Sequence, residues 1–79
     1  MQTITVTISA VNNGYDFTVN GKTIATIRPD EDHKGRYKMR CSIFLNGNNS
    51  RLPDAVESVT ETIERNLQGW GVAVEFVAA

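Results

Sequence analysis

From Thr3 to Ser9 the chain alternates strictly. Ile4, Val6 and Ile8 share one side, and Thr3, Thr5, Thr7 and Ser9 share the other. Successive side chains of a strand point to opposite faces, so this pattern predicts a half-buried strand. The alternation resumes from Tyr15 to Asn20, with Tyr15, Phe17 and Val19 opposing Asp16 and Thr18. Asn20-Gly21 then predicts a two-residue hairpin, because both residues tolerate positive φ. That turn sets Val19 against Lys22, Thr18 against Thr23, Phe17 against Ile24 and Asp16 against Ala25. In this register Ile24 joins the Phe17 face and Ile27 falls on the other. The expectation is therefore either a bulge near Ala25-Thr26 or a partly exposed Ile27.

Pro29 ends the third strand, since it has no N–H for a ladder, and Pro29 to Gly35 reads as a polar loop. Arg36 to Leu45 is the longest alternating segment. Tyr37, Met39, Cys41, Ile43 and Leu45 form one face, and Arg36, Lys38, Arg40, Ser42 and Phe44 form the other. Asn46 to Ser50 reads as a loop. Residues 53–68 read as the single helix. Pro53 suits its first turn, and Asp54 and Glu57 its positive end. Leu52, Ala55, Val56, Val59, Ile63 and Leu67 make one apolar stripe at 100° per residue. Gly69 is the expected stop, with Trp70 capping one end of the core or, as the alternative, standing exposed as an interface anchor. Val72 to Val77 is a last strand, with Val72, Val74 and Phe76 on one face.

The predicted order is β-β-β-β-α-β. One helix with one apolar stripe covers one face of one sheet, so the fold class is α+β. It is a two-layer sandwich: one five-stranded, mainly antiparallel sheet with a single helix on one face. If the strands flanking the helix run parallel, the connection is a right-handed crossover. The pattern leaves strand order open.

Length and composition narrow the picture. The 79 residues make one domain, and 41% hydrophobic with 22% charged residues suits a globular chain. The N-terminus lacks the basic start of a signal peptide, and no apolar run approaches the roughly 20 residues of a membrane span. Cys41 is the one cysteine, which points to the cytoplasm and, on the apolar face of its strand, to an unreactive thiol. The net charge of −1 divides unevenly. Residues 1–52 hold seven Lys/Arg against four acids, and residues 53–79 hold one Arg against five acids.

Three clusters follow. Arg36, Lys38 and Arg40 form a basic row at a pitch of about 6–7 Å, and Phe44 has the same parity. Such a row can meet an acidic protein surface or follow phosphates, with Phe44 stacking a base; it can also serve only to keep a strand solvated. Glu57, Glu61 and Glu64 form an acidic helix row suited to a basic partner or to plain solvation. Asp30, Glu31, Asp32 and His33 could hold a metal, but their spacing matches no calcium or zinc motif and reads as a turn. The sole histidine has no nucleophile placed beside it, and no phosphate-binding glycine loop or other cofactor motif occurs. The expectation is a non-enzymatic interaction or regulatory protein without a cofactor. It would bind a protein partner through a charged surface, with nucleic acid at the basic sheet face as the alternative. Its size suits a bacterial or phage accessory protein, and a second copy could pair with a free sheet edge.

Gly21-Lys22, then the run Gly35 to Arg40, then Asn46-Gly47 and the helix to Leu67 give a stretch that resembles the arm domains of recombinases. Those domains combine a three-stranded sheet with a helix. The negative net charge departs from that pattern, and no site residue is carried over from it.

Overall fold

The computed structural model describes residues 2–32, 34–41 and 47–79, with 47–50 described as backbone. The elements are β1 (Gln2–Val11), β2 (Gly14–Val19), β3 (Lys22–Pro29), β4 (Tyr37–Cys41), β5 (Gly47–Ser50), α1 (Leu52–Gly69) and β6 (Val72–Ala78). They build the expected α+β sandwich, one helix on one mostly antiparallel sheet. The segment expected to be a loop over 46–50 instead contributes β5, a short strand at the sheet edge. The sheet order is β5-β4-β3-β2-β1-β6.

β1 to β5 pair as an antiparallel meander, and β6 then lies parallel to β1. These pairings make β5 and β6, the strands flanking the helix, run the same way on opposite edges. The length of α1 explains the jump. Its 18 residues span about 27 Å at 1.5 Å each. Five strand spacings of about 4.8 Å make a sheet about 24 Å wide. The helix crosses the sheet once, packs on β3, β4 and β6, and delivers the chain to the far edge.

Alternation holds along β1, β2 and β4, and along β3 but for one irregularity. Val6, Phe17, Ala25, Ile27 and Met39 meet Ala55, Val59 and Ile63 of the helix stripe in one core. Leu52, Val56 and Leu67 flank it, half-buried, so the stripe read from the sequence is the buried face of α1. Each large apolar side chain buried there contributes about 1.5–3 kcal/mol.

The second hairpin begins in the expected register, with Val19 opposite Lys22 and Thr18 opposite Thr23. Phe17 then pairs with Ala25 rather than Ile24, and Tyr15 with Ile27. The register shift lies at Phe17/Thr18, so the extra residue of β3 is Ile24. This is the bulge alternative, one residue earlier than Ala25-Thr26. It returns Ile27 to the core, where it is fully buried.

Two glycines have structural reasons of different kinds. Gly14 is buried, and a Cβ built there would stand 2.0 Å from the Ile27 carbonyl oxygen. It therefore permits close approach of β2 to β3. Gly71 has φ +78° and turns the chain from α1 into β6. The helix therefore runs through Gly69, and the stop expected at Gly69 falls at Gly71 instead. Trp70 sits at its C-cap, donating its N–H to the Leu67 carbonyl at 3.0 Å. Trp70 is 83% exposed and does not cap the core, because the turn closes at Gly71 and leaves the indole outside it.

Three positions of this frame carry predictions. Gly14→Ala forces backbone apart and is expected to cost about 3 kcal/mol in urea unfolding, as overpacking does. Gly69→Ala, with open space around its Cβ position and no positive φ, is expected to be neutral or stabilising by up to about 1 kcal/mol. Deleting Ile24 would remove the bulge yet leave Thr23 opposite Thr18 and Ala25 opposite Phe17, so Ala25 and Ile27 would keep the core face. That variant is expected to keep a cooperative transition in circular dichroism, and Ile24→Ala should cost about 1–2 kcal/mol.

Candidate functional site

No described element covers the sheet face opposite α1. Its floor is set by alternation and the Ile24 bulge. Thr3, Thr5, Thr7 and Ser9 point outward from β1, and Asp16 and Thr18 from β2. Across β3 and β4, Thr26 stands opposite Arg40, and Arg28 opposite Lys38. These four side chains form a two-by-two block around a depression of about 170 Å³. Lys38 points away from the core at 43% side-chain exposure, while its neighbour Met39 is buried.

The charges of this block are not equivalent. Arg28 is held in place. Its Nη2 donates to Asp16 Oδ1 at 2.6 Å, and its Nη1 donates to the carbonyls of Ile27 at 2.9 Å and Tyr15 at 3.1 Å. It ties β2 to β3 and is half-occupied as a cation. Lys38 Nζ stands 3.9 Å from Oδ1 of Asp30, a contact long enough to leave the ammonium adaptable. Asp30 is only 5% exposed, and its Oδ1 also accepts the Asp32 N–H at 3.0 Å. The Asp30 N–H in turn donates to the Arg36 carbonyl at 2.9 Å, closing the loop between β3 and β4. Arg40 is exposed and makes no ion pair among the described residues. Three cations against two carboxylates leave the block with a net charge of +1.

The basic row predicted from the sequence is therefore brought together in part. Lys38 and Arg40 lie on the outer face of β4. Arg36 is exposed just ahead of that strand, with its backbone in the loop closure. Phe44 lies outside the described residues. Arg28 is an additional member. Its signal was the bulge, which moves Thr26 and Arg28 to the outer face as it moves Ile27 inward.

Glu57, Glu61 and Glu64 are all exposed on α1, away from its buried stripe. They make a smooth solvated ridge, whereas the basic block surrounds a depression. Cys41 lies opposite Ala25 on the core side of β4 and is half-buried. Of the Asp30–His33 cluster, His33 lies outside the described residues. Among the described residues no group of three His, Cys, Asp or Glu is placed to hold a metal ion. No described helix is long and apolar enough to cross a membrane.

Comparison with protein families, with curated proteins and with solved structures finds no match to this chain.

The hydrogen bonds predict a division of labour. Arg28→Ala removes three bonds and is expected to cost about 1–2 kcal/mol in chemical unfolding. Lys38→Ala and Arg40→Ala, at exposed or long-contact positions, should stay within about 0.5 kcal/mol of the parent.

Proposed function

We propose that this chain is a non-enzymatic interaction protein, of regulatory or accessory type, that binds an acidic patch on a protein partner through its outer sheet face. Lys38 and Arg40 are the contact cations, Thr26 supplies a hydroxyl opposite Arg40, and Arg28 is the fixed neighbour opposite Lys38. The observation that carries this reading is the outer sheet face, which no described element covers. The single helix covers the other side, and the two most adaptable cations line a depression there.

A protein surface suits the block better than a phosphate backbone does. Nucleic-acid affinity grows with the number of phosphates neutralised, so it favours uninterrupted cations. Here Asp16 and Asp30 are interleaved with the basic residues, and Glu75 is exposed on the same face opposite Thr5. Alternating donors and acceptors complement a mixed protein surface, where rim charges steer encounter and set orientation. Cys41 faces the core, which speaks against a nucleophilic role, and a lone thiol suits a reducing cytoplasm.

The test is affinity capture from a lysate of the source cells, with captured proteins identified by mass spectrometry. Lys38→Glu with Arg40→Glu is expected to lower recovery of the partner by about tenfold, and rising salt should weaken the parent's capture in the same way. Reversal of Glu57, Glu61 and Glu64 to Lys should leave it unchanged. Capture indifferent to both reversals would reject a charged-face partner. A steeply salt-dependent shift of a duplex or single strand, lost in Lys38→Glu, would favour nucleic acid instead.

A further inference from the structure

β6 is an edge strand without the usual protection. One side of its ladder is taken by β1, in an unbroken register from Gln2↔Val72 to Ile8↔Ala78. No described strand takes the other. Natural sheets blunt such edges with lysine, proline, bulges or very short strands. β5, at the opposite edge, is four residues long. β6 runs for seven residues as VAVEFVA, with Glu75 as its single polar side chain. Val72, Val74 and Phe76, on the helix side, are only half-buried: α1 packs on β6, but no described strand flanks its outer edge.

A second feature adjoins the same edge. Trp70 presents its indole to solvent from a fixed backbone, pinned by its bond to Leu67 and by the bond from Gly71 N–H to the Gln68 carbonyl at 3.0 Å. Beside it, Gln68, Gly71, Val72 and Ala73 line a cleft of about 330 Å³. A large exposed aromatic next to an open apolar strand marks an interface anchor.

We infer that β6 pairs antiparallel with β6 of a second copy, across a two-fold axis that passes through Val74. The strand is self-complementary about that position. Directly opposed residues of an antiparallel pair share a face, so the axis must pass through a residue. An axis through Glu75 would set two carboxylates against each other, which is unfavourable. An axis through Phe76 would leave Val72 and Trp70 beyond the overlap. Through Val74, Phe76 of each copy meets Val72 of the other on the helix side, and Glu75 meets Ala73 on the outer side. Trp70 then lies level with Ala78 of the second copy and covers the end of its strand. Between Val72 and Phe76 the free N–H and C=O groups of one edge meet the equivalent groups of the other, as an isologous interface requires.

The register predicts a charge swap. Sedimentation equilibrium of the full chain is expected to show a dimer that dissociates on dilution. Trp70 is the only tryptophan, so its emission should shift to the blue as the dimer forms. Ala73→Glu places a carboxylate opposite Glu75 twice in the interface and should raise the dissociation constant about tenfold. Adding Glu75→Lys to that variant turns both pairs into attractions and should restore the parent value. Trp70→Ala, at an exposed position, should weaken the dimer without unfolding the chain. A monomer at about 1 mM, where even weak specific pairing is populated, would overturn the proposal. So would a dimer that Ala73→Glu leaves intact, or one that the double variant does not restore.

Discussion

The bulge at Ile24 decides on which side of the sheet most of the chemistry lies. Were Ile24 paired instead of bulged, the tight Asn20-Gly21 turn would carry its register straight through β3. Ile27 would then face water, and Thr26 and Arg28 would face the helix. The core would lose its central side chain and acquire a guanidinium, a burial that no nearby residue could offset. With the bulge, Ile27 drops between Phe17 and Met39, and Arg28 swings out to bond Asp16 and two carbonyls. Because β4 takes its register from β3, the outward direction of Lys38 and Arg40 depends on the same bulge. Core and basic face are thus two consequences of one local irregularity.

A second constraint is the scarcity of cover. A single amphipathic helix has one apolar stripe, and it is spent on β3, β4 and β6. The outer face must therefore be polar by its own composition, which the threonines of β1 and the charges of β3 and β4 provide. β6 has α1 above it and β1 beside it but no described strand on its outer edge, so its inward valines and Phe76 stay half-buried. A chain of this size buries roughly 60–65% of its unfolded surface, so such half-covered apolar side chains are expected somewhere. Here they gather along one strand, with Trp70 at its head.

Most of the architecture was legible because it rests on periodicity. Ile4, Val6 and Ile8 alternate with threonines, and Ala55, Val59 and Ile63 recur at helical spacing; both patterns state which side is buried. What escaped depends on partners distant in the chain. Gly47–Ser50 reads as a loop because glycine, asparagine and serine have poor strand propensity; pairing with β4 overrides it. Strand order was open because nothing local says that β6 returns to β1. Trp70 was misassigned for a local reason. Gly69 and Gly71 both look like helix stops, and the choice between them rotates the intervening indole from the core into solvent. The outward placement of Lys38 and Arg40 followed from alternation, whereas the inclusion of Arg28 required knowing that the bulge was real.

The two surfaces are geometrically coupled. A two-fold axis through Val74 stands perpendicular to the sheet, because residues of like face oppose one another across it. Both outer faces then look the same way, and the two basic blocks become coplanar. Nine strand spacings of about 4.8 Å separate the two copies of β4, so the blocks would stand roughly 40 Å apart. A partner with acidic patches at that spacing would engage both, and the second contact would form at the high effective concentration of a tethered site. Stacking the acidic ridge of α1 on the basic face of another copy has the opposite geometry. It is head-to-tail, leaves a free surface at each end and does not close. The weak net charge of the basic block, reduced by Asp16 and Asp30, limits such open-ended stacking while retaining enough attraction for a partner shaped to meet Lys38 and Arg40 together.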